Sequence, residues 1–227
     1  MLIRHGAGHE GPPRRSVWFS GYWFVLVLIV VSYVICAVQM SPRPSEFALL
    51  VQLATVAATL WIAAEGTSLR RIGWIVVAAA SAAVLAVWLA GTTGRLLDVF
   101  LSGASMLAYI AAPIAIIAHQ LRKNRVDGQT LLAAIAAYLM VGMSFTFGYN
   151  FVALVTNVPT FGEGYANSLT SQLFFSFTTL TTTGYGNLVP AGTLVQSVAI
   201  TEAITGQLFL VVAVAGVVSS YTRPGRG

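Results

Sequence analysis

The segment best suited to chemistry is a threonine-rich run that ends in two glycines on either side of one tyrosine. It reads Thr178-Thr179-Leu180-Thr181-Thr182-Thr183-Gly184-Tyr185-Gly186-Asn187. Rings of backbone carbonyls can replace the water shell of a cation, and threonine hydroxyls add further oxygen ligands. Gly184 and Gly186 adopt left-handed backbone at little steric cost, which lets successive carbonyls turn to one side. The run therefore predicts a row of oxygen ligands for a cation.

Composition indicates that the elements positioning this run lie in a membrane. Of the 227 residues, 57% are hydrophobic and only 8% are charged, whereas soluble domains carry about a quarter charged residues. Most of the chain is therefore expected in lipid, with lipids as neighbours. The formal net charge is +5, but the basic residues stand in small groups between apolar runs, as membrane flanks do. No nucleic-acid partner is expected.

Six apolar runs are long enough, or nearly so, to cross a bilayer, which needs about 20 residues. They predict transmembrane helices at 17–38, 47–64, 72–90, 96–118, 131–155 and 194–221. The first run begins too far into the chain, and is followed by too many spans, to be a cleaved signal peptide. The fold class predicted is an all-α membrane protein with six transmembrane helices.

Basic residues cluster on one side of these predicted spans. All of the 12 Lys and Arg residues except Arg43 and Arg95 lie before the first span, after the sixth, or in the loops that follow the second and fourth. The positive-inside rule then places both termini in the cytoplasm of a multi-pass protein of the plasma (inner) membrane. The loop between the fifth and sixth spans, which holds the threonine-rich run, faces outside.

This outer loop contains a shorter apolar segment. Turn residues at 157–164 precede an aromatic stretch at 173–177, and the threonine-rich run follows it. An apolar stretch too short to span predicts a re-entrant helix, for which Asn167 or Ser168 is the candidate N-cap. Irregular backbone at membrane depth is tolerated only where protein buries it or water lines it.

The run Thr182-Thr183-Gly184-Tyr185-Gly186, set between a short helix and a final span, resembles the signature of the potassium channel family. The order of span, pore helix, filter, return and span covers 131–221, and the first four spans match only the six-span plan of the wider family. The resemblance implies a potassium-selective channel. One loop cannot encircle an ion, so three identical partner subunits are expected. No cofactor is expected apart from permeating potassium.

Within the implied filter, each residue has an expected role. The carbonyls of 182–186 face the ion, and Thr182 adds a hydroxyl ring at the inner mouth. Thr183 and Tyr185 point away from the axis, and Tyr185 packs against the pore-helix aromatics. The C-terminal end of the pore helix directs partial negative charge toward the ion path. The residues expected to support the filter are Phe174, Phe175, Thr178 and Asn187.

The filter departs from the family pattern at two positions. Thr183 stands where valine is usual, and Asn187 stands where an aspartate usually follows. The pore helix also lacks the Trp and Glu of some relatives, so no carboxylate pair is expected behind the filter. Selectivity is expected because carbonyls make the sites. A weakly selective cation channel with a variant filter stays open as an alternative.

The last span is expected to carry the gate. Gly206 lies twenty residues beyond Gly186, at the hinge position that the resemblance implies, and glycine makes bending easier there. The alternative is that Gly206 only permits close helix packing. The side chains expected to line the pore recur at helical spacing; they are Gln207, Leu210, Val214 and Val218.

Glu202 is the one acid deep inside a predicted span. An intramembrane carboxylate is a functional candidate because it is costly unless paired. Its side chain is expected either to face the cavity or to hydrogen-bond behind the filter. The alternative is a protonated buried acid whose hydrogen bonds are satisfied.

The first four spans form a predicted domain at 17–121 with the topology of a voltage sensor. A sensor needs several arginines spaced by three in one span, and the fourth span has none between 96 and 118. Steep voltage sensing is therefore not expected. The other predicted segments are a disordered cytoplasmic N-terminus at 1–16, a linker at 122–130, a pore domain at 131–221 and a short tail at 222–227, without a cytoplasmic ligand domain.

Enzymatic function is not expected, because the sequence shows neither a metal-ligand cluster nor a phosphate-binding loop. Cys36 is the single cysteine, so an intrachain disulfide cannot form. A transporter is disfavoured because the loop is not repeated within the chain. A non-conducting membrane sensor or adaptor stays open as a second alternative.

Overall fold

The computed structural model describes residues 21–40, 46–63, 94–120, 128–162 and 164–221, together with positions 71, 74, 75, 78, 81 and 82. Within these ranges the chain is helical and has no strand. The helices are α1 (Tyr22–Val38), α2 (Glu46–Ala63), α3 (Arg95–Gln120), α4 (Gly128–Thr156), α5 (Leu169–Leu180) and α6 (Gly192–Tyr221). The predicted all-α class is confirmed for this part of the chain.

Three described helices contain stretches long and apolar enough to cross a membrane. These are Arg95–Ala118, Gly128–Thr156 and Gly192–Ala213, and the apolar parts of α1 and α2 are shorter. The third predicted span, 72–90, lies outside the described residues apart from the isolated helical positions. The predicted segments 1–16 and 222–227 also lie outside them. The count of six spans therefore stays a prediction.

The predicted linker at 122–130 is too long at its C-terminal end, because α4 already begins at Gly128. Polar residues extend this helix beyond its apolar run. The amide oxygen of Gln129 accepts a hydrogen bond from the Tyr22 backbone N–H at 3.1 Å, and Thr130 Oγ1 donates to Gln120 Oε1 at 3.2 Å. These contacts place the starts of α1 and α4 at the same end of the bundle as the end of α3.

Arg95 fixes the opposite end of the bundle. Its guanidinium donates to the backbone carbonyls of Leu154 at 2.7 Å and Val155 at 3.2 Å. The last carbonyls of a helix have no partner within it, so the arginine at the start of α3 caps the end of α4. The two helices consequently form an antiparallel pair.

α4 is the central helix, and small residues on it let its neighbours approach. Ala133, Ala136 and Ala137 are fully buried, and the Tyr109 ring of α3 stacks on Phe147 of α4 with centroids 5.9 Å apart. Lipid is as apolar as leucine, so such packing and interhelical hydrogen bonds, rather than hydrophobic burial, associate helices in membranes.

Neutral hydrogen bonds link the first three described helices. The hydroxyls of Ser32 and Tyr109 lie 2.8 Å apart, and Ser105 Oγ donates to Gln52 Oε1 at 2.7 Å. Bonds of this type between transmembrane helices contribute about 0.6 kcal/mol on average. Cys36 is buried beside this network, with its Sγ 3.9 Å from Gln52 Nε2.

Candidate functional site

α5 is a short helix at the place where the sequence predicted a re-entrant one. It has 12 residues, which is too short to cross a bilayer. Of the two candidate N-caps, Ser168 takes the role, because its hydroxyl accepts a hydrogen bond from the Ser171 N–H at 3.1 Å. Asn167 Oδ1 accepts instead from the Thr160 N–H at 2.9 Å and so fastens the loop that leads into α5.

The backbone that follows α5 is left-handed at every second residue. The φ angles are 56° at Thr182, 52° at Gly184 and 78° at Gly186. The sequence predicted this conformation at the two glycines, where it carries little steric cost. At Thr182 it was not foreseen, since a side chain there costs roughly 1–2 kcal/mol. Alternation over 182–186 is the backbone pattern that can present consecutive carbonyls to one side.

The end of the pore helix holds this backbone through one carbonyl. Thr178 O accepts the N–H groups of Thr183 at 2.8 Å and Gly184 at 3.1 Å. The Thr178 hydroxyl is directed elsewhere and donates to Phe175 O at 3.0 Å. Thr178 therefore contacts the predicted filter with its main chain, a contribution that its side-chain type does not reveal.

The hydroxyl of Thr183 has a partner that valine could not use. Thr181 Oγ1 donates its one proton to Phe177 O at 2.6 Å, and it lies 2.8 Å from Thr183 Oγ1. Thr183 is consequently the donor to Thr181. This departure from the family pattern adds a hydrogen bond that links the filter to the end of the pore helix.

Two aromatic residues of the pore helix have different surroundings. Phe174 stacks on Tyr185, with ring centroids 5.6 Å apart and planes at 18°, so the expected packing of Tyr185 against this helix is present. Phe175 instead packs against Tyr149 and Phe161, at 5.2 and 4.9 Å between centroids. Asn187 is exposed in the single chain.

Glu202 lies behind the pore helix and is fully buried. Its Oε2 accepts a hydrogen bond from the Tyr149 hydroxyl at 2.6 Å, and its Oε1 lies 2.5 Å from Ser176 Oγ. Ser176 Oγ also lies 2.8 Å from Gly142 O. This cluster joins α4, α5 and α6, and it agrees with the alternative in which Glu202 hydrogen-bonds behind the filter.

The hydrogen bonds of this cluster are compatible with a neutral Glu202. Ser176 has one hydroxyl proton and two neighbouring acceptors. When Glu202 is protonated, it donates to Ser176, and Ser176 donates to Gly142 O, so every buried group has a partner. A charged Glu202 would accept the serine proton and leave Gly142 O to the Thr146 hydroxyl at 2.9 Å, but it would carry the desolvation cost of an ion in a membrane.

At Gly206, α6 lies close to the end of α5, the predicted pore helix. A Cβ atom added there would overlap the Leu180 carbonyl oxygen and would lie 2.9 Å from Leu180 Cδ1. The same carbonyl accepts a hydrogen bond from the Tyr138 hydroxyl at 3.1 Å. The structure thus shows the packing role, and α6 continues through Gly206 as a helix. The hinge role stays a prediction.

The predicted pore-lining residues are described only in part. Gln207 and Leu210 are exposed on α6 in the single chain. Val214 and Val218 belong to the same helix, but their side chains lie outside the described part of the structure. Ser176 and Tyr149 were missed by sequence reasoning, because a serine and a tyrosine in apolar helices carry no motif.

Two comparisons with known proteins bear on this geometry. Residues 130–223 match the sequence model of a family described as ion channel. A stretch of 60 residues, 26% of this chain, is 42% identical to the inward rectifier potassium channel Kirbac3.1 of Paramagnetospirillum magnetotacticum. The matched stretch spans 20% of that relative's length. Residues 130–223 are therefore similar to an ion channel domain, and the resemblance of the chain to the potassium channel family is confirmed.

Replacing Gly206 with alanine should separate α6 from the pore helix, because the added methyl meets a backbone carbonyl that cannot rotate away. Overpacking of this kind costs about 1–3 kcal/mol. The measurement is thermal unfolding of the purified protein in detergent. Gly148→Ala is the matched control, since its Cβ would lie 3.6 Å from the flexible Met106 Sδ. Equal melting temperatures for the two variants would contradict the packing role.

Replacing Glu202 with glutamine should be tolerated, whereas leucine should not. Glutamine keeps an acceptor for Tyr149 and a donor for Ser176, as the neutral acid does. Leucine leaves the buried Tyr149 hydroxyl without an acceptor, at a cost of about 1–3 kcal/mol. Thermal unfolding of both variants measures this difference. Glutamine as damaging as leucine would show that the cluster requires a charged Glu202.

Proposed function

We propose that this chain, which carries an ion channel domain over 130–223, is one subunit of a homotetrameric potassium-selective channel. The observation that carries the proposal is the alternating backbone at Thr182, Gly184 and Gly186, held by the Thr178 carbonyl. Four copies of this segment around one axis would offer successive rings of carbonyl oxygens. Such rings replace the hydration shell of a potassium ion.

Exposure of the filter in the single chain supports a tetramer. Residues 181–187 are all exposed, and Tyr185 is 70% accessible although its ring is large and mostly apolar. The oxygen ligands of one chain lie on one side only and cannot surround an ion. Neighbouring subunits would cover Tyr185 and complete the rings.

The surface of α6 supports the same assembly. Its buried positions form a narrow stripe against the rest of the chain: Val195, Ala199, Glu202 and Gly206. Among the other described side chains of α6, many large apolar ones are exposed, with Leu208 at 60% and Val211 at 59%. In the tetramer these side chains would divide between neighbouring subunits, lipid and the pore. Gln207 and Leu210 would face the pore, with Val214 and Val218 below them.

The gate would lie on α6. Bending at Gly206 would move the lower part of the helix, and a ring of aliphatic side chains there would close the path by excluding water. Gly206 also touches the end of the pore helix at Leu180. A movement of α6 at the gate would therefore also move the base of the filter. Six spans, cytoplasmic termini and a plasma (inner) membrane location belong to this proposal.

The test is ion flux from purified protein in liposomes, with potassium and sodium gradients compared. The wild type should conduct potassium, and Gly184→Ala should reduce the flux at least about tenfold, since each of four subunits would carry a left-handed alanine costing roughly 1–2 kcal/mol. Gly162→Ala is the control, because it lies in the same outer loop with open space around it. It should conduct as the wild type does.

Three results would contradict the proposal in different ways. Equal potassium and sodium permeability would favour the weakly selective cation channel. Full flux from Gly184→Ala would show that residues 182–186 do not line the ion path. Absence of flux from every variant, with intact tetramers, would favour a non-conducting sensor or adaptor.

A further inference from the structure

The end of the first helix is bonded to the start of the pore helix. Thr170 Oγ1 lies 2.8 Å from Gln39 O and 3.1 Å from Ala37 O, and the Thr170 N–H donates to Gln39 O at 3.3 Å. These residues are more than a hundred positions apart in the sequence. The contact is therefore a tertiary one between α1 and α5.

The bond joins the ends of two helices. The last carbonyls of α1 and the first N–H groups of α5 have no partner within their own helices. The C-terminal end of α1 also carries partial negative charge, and the N-terminal end of α5 carries partial positive charge. The two helix ends are therefore complementary both in hydrogen bonding and in charge, and the Thr170 side chain bridges them.

A second contact lies deeper along the same pair of helices. The rings of Tyr33 and Phe177 meet edge to face, with centroids 5.3 Å apart. Thr170 and Phe177 are seven residues apart and share one face of α5. The Phe177 ring also lies close to α4, since a Cβ added at Gly142 would lie 2.8 Å from its Cζ. Phe177 is thus held between α1 and α4.

The residue that α1 contacts also anchors the filter. Phe177 O accepts hydrogen bonds from the Thr181 N–H at 3.0 Å and from Thr181 Oγ1 at 2.6 Å. Thr181 in turn receives the hydroxyl of Thr183 at 2.8 Å. A path of direct contacts therefore runs from Tyr33 through Phe177 to the filter, without passing through α6.

We propose that α1 positions the pore helix, with Thr170 and Tyr33 as its positioning residues, and that displacement of α1 changes conduction at the filter rather than at the gate on α6. This inference rests on the proposed channel function. It assigns to the first helices a role that needs no charge movement: any lipid or partner that shifts α1 would reach the filter through these two contacts.

The test uses two variants for each contact: one removes the contact, and the other keeps it, so that loss of the contact is distinguished from a change in side-chain size or in folding. Thr170→Val removes the bridging hydroxyl at nearly constant shape, and Thr170→Ser restores it. Tyr33→Leu removes the ring, and Tyr33→Phe keeps it. Thr59→Val is the control, because the Thr59 hydroxyl is buried and donates to Thr55 O in its own helix, α2. Single-channel recording in planar bilayers measures open fraction and the potassium-to-sodium permeability ratio.

The expected result is a change of at least about fivefold in open fraction or permeability ratio for Thr170→Val and Tyr33→Leu, the size that one net hydrogen bond per subunit supports. Thr170→Ser, Tyr33→Phe and Thr59→Val should stay within about twofold of wild type. Unchanged conduction in Thr170→Val and Tyr33→Leu would overturn the inference and leave the channel function intact. An equal change in Thr59→Val would also overturn it.

A second measurement does not depend on conduction. Hydrogen exchange of the backbone N–H groups at 168–174 should become faster in Thr170→Val and should be restored in Thr170→Ser, because the Thr170 N–H is bonded to α1. If the wild type failed to conduct, the proposed function would fall. Hydrogen exchange would still test the contact between Thr170 and the end of α1. Unchanged exchange rates in Thr170→Val would show that α1 does not hold the pore helix.

Discussion

The rest of the site depends on one constraint: irregular backbone at membrane depth must have its polar groups fixed by the protein. The Thr178 carbonyl meets this constraint for the first half of the filter, since it accepts the N–H groups of Thr183 and Gly184. A carbonyl can do so only if the helix that carries it ends at a fixed place and angle. The position of α5 is therefore the quantity that the surrounding structure has to control.

α5 is held from three directions, each by a different kind of contact. Thr170 and Phe177 face α1 through hydrogen bonds and a ring edge. Ser176 faces α4 and α6 through the buried Glu202 cluster. Phe174 faces the filter through its stack on Tyr185. Hydrophobic burial does not distinguish protein from lipid, so specific polar contacts of this type can determine where a short helix sits in a membrane.

The described helices, the short helix α5 and the left-handed backbone at Gly184 and Gly186 could be predicted because each leaves a local pattern in the sequence. Apolar length predicts spans. A polar residue before an apolar stretch predicts a helix N-cap, and Asn167 and Ser168 were the two candidates for α5. Long-range partners leave no such pattern: nothing near Thr170 in the sequence indicates that Gln39 will supply its acceptor. Glu202 could be recognised as a candidate because it is an acid among apolar residues. Its partners Tyr149 and Ser176 could not be, because isolated hydroxyls are common in membrane helices.

The central claim is that Thr182 to Gly186 from several subunits meet around an ion path. The most direct measurement is the anomalous scattering of Tl⁺, a potassium mimic, in crystals of the assembled protein. We expect peaks on a shared symmetry axis, level with the carbonyls of these residues. Loops that do not meet on one axis, or an axis without Tl⁺ at that level, would contradict it.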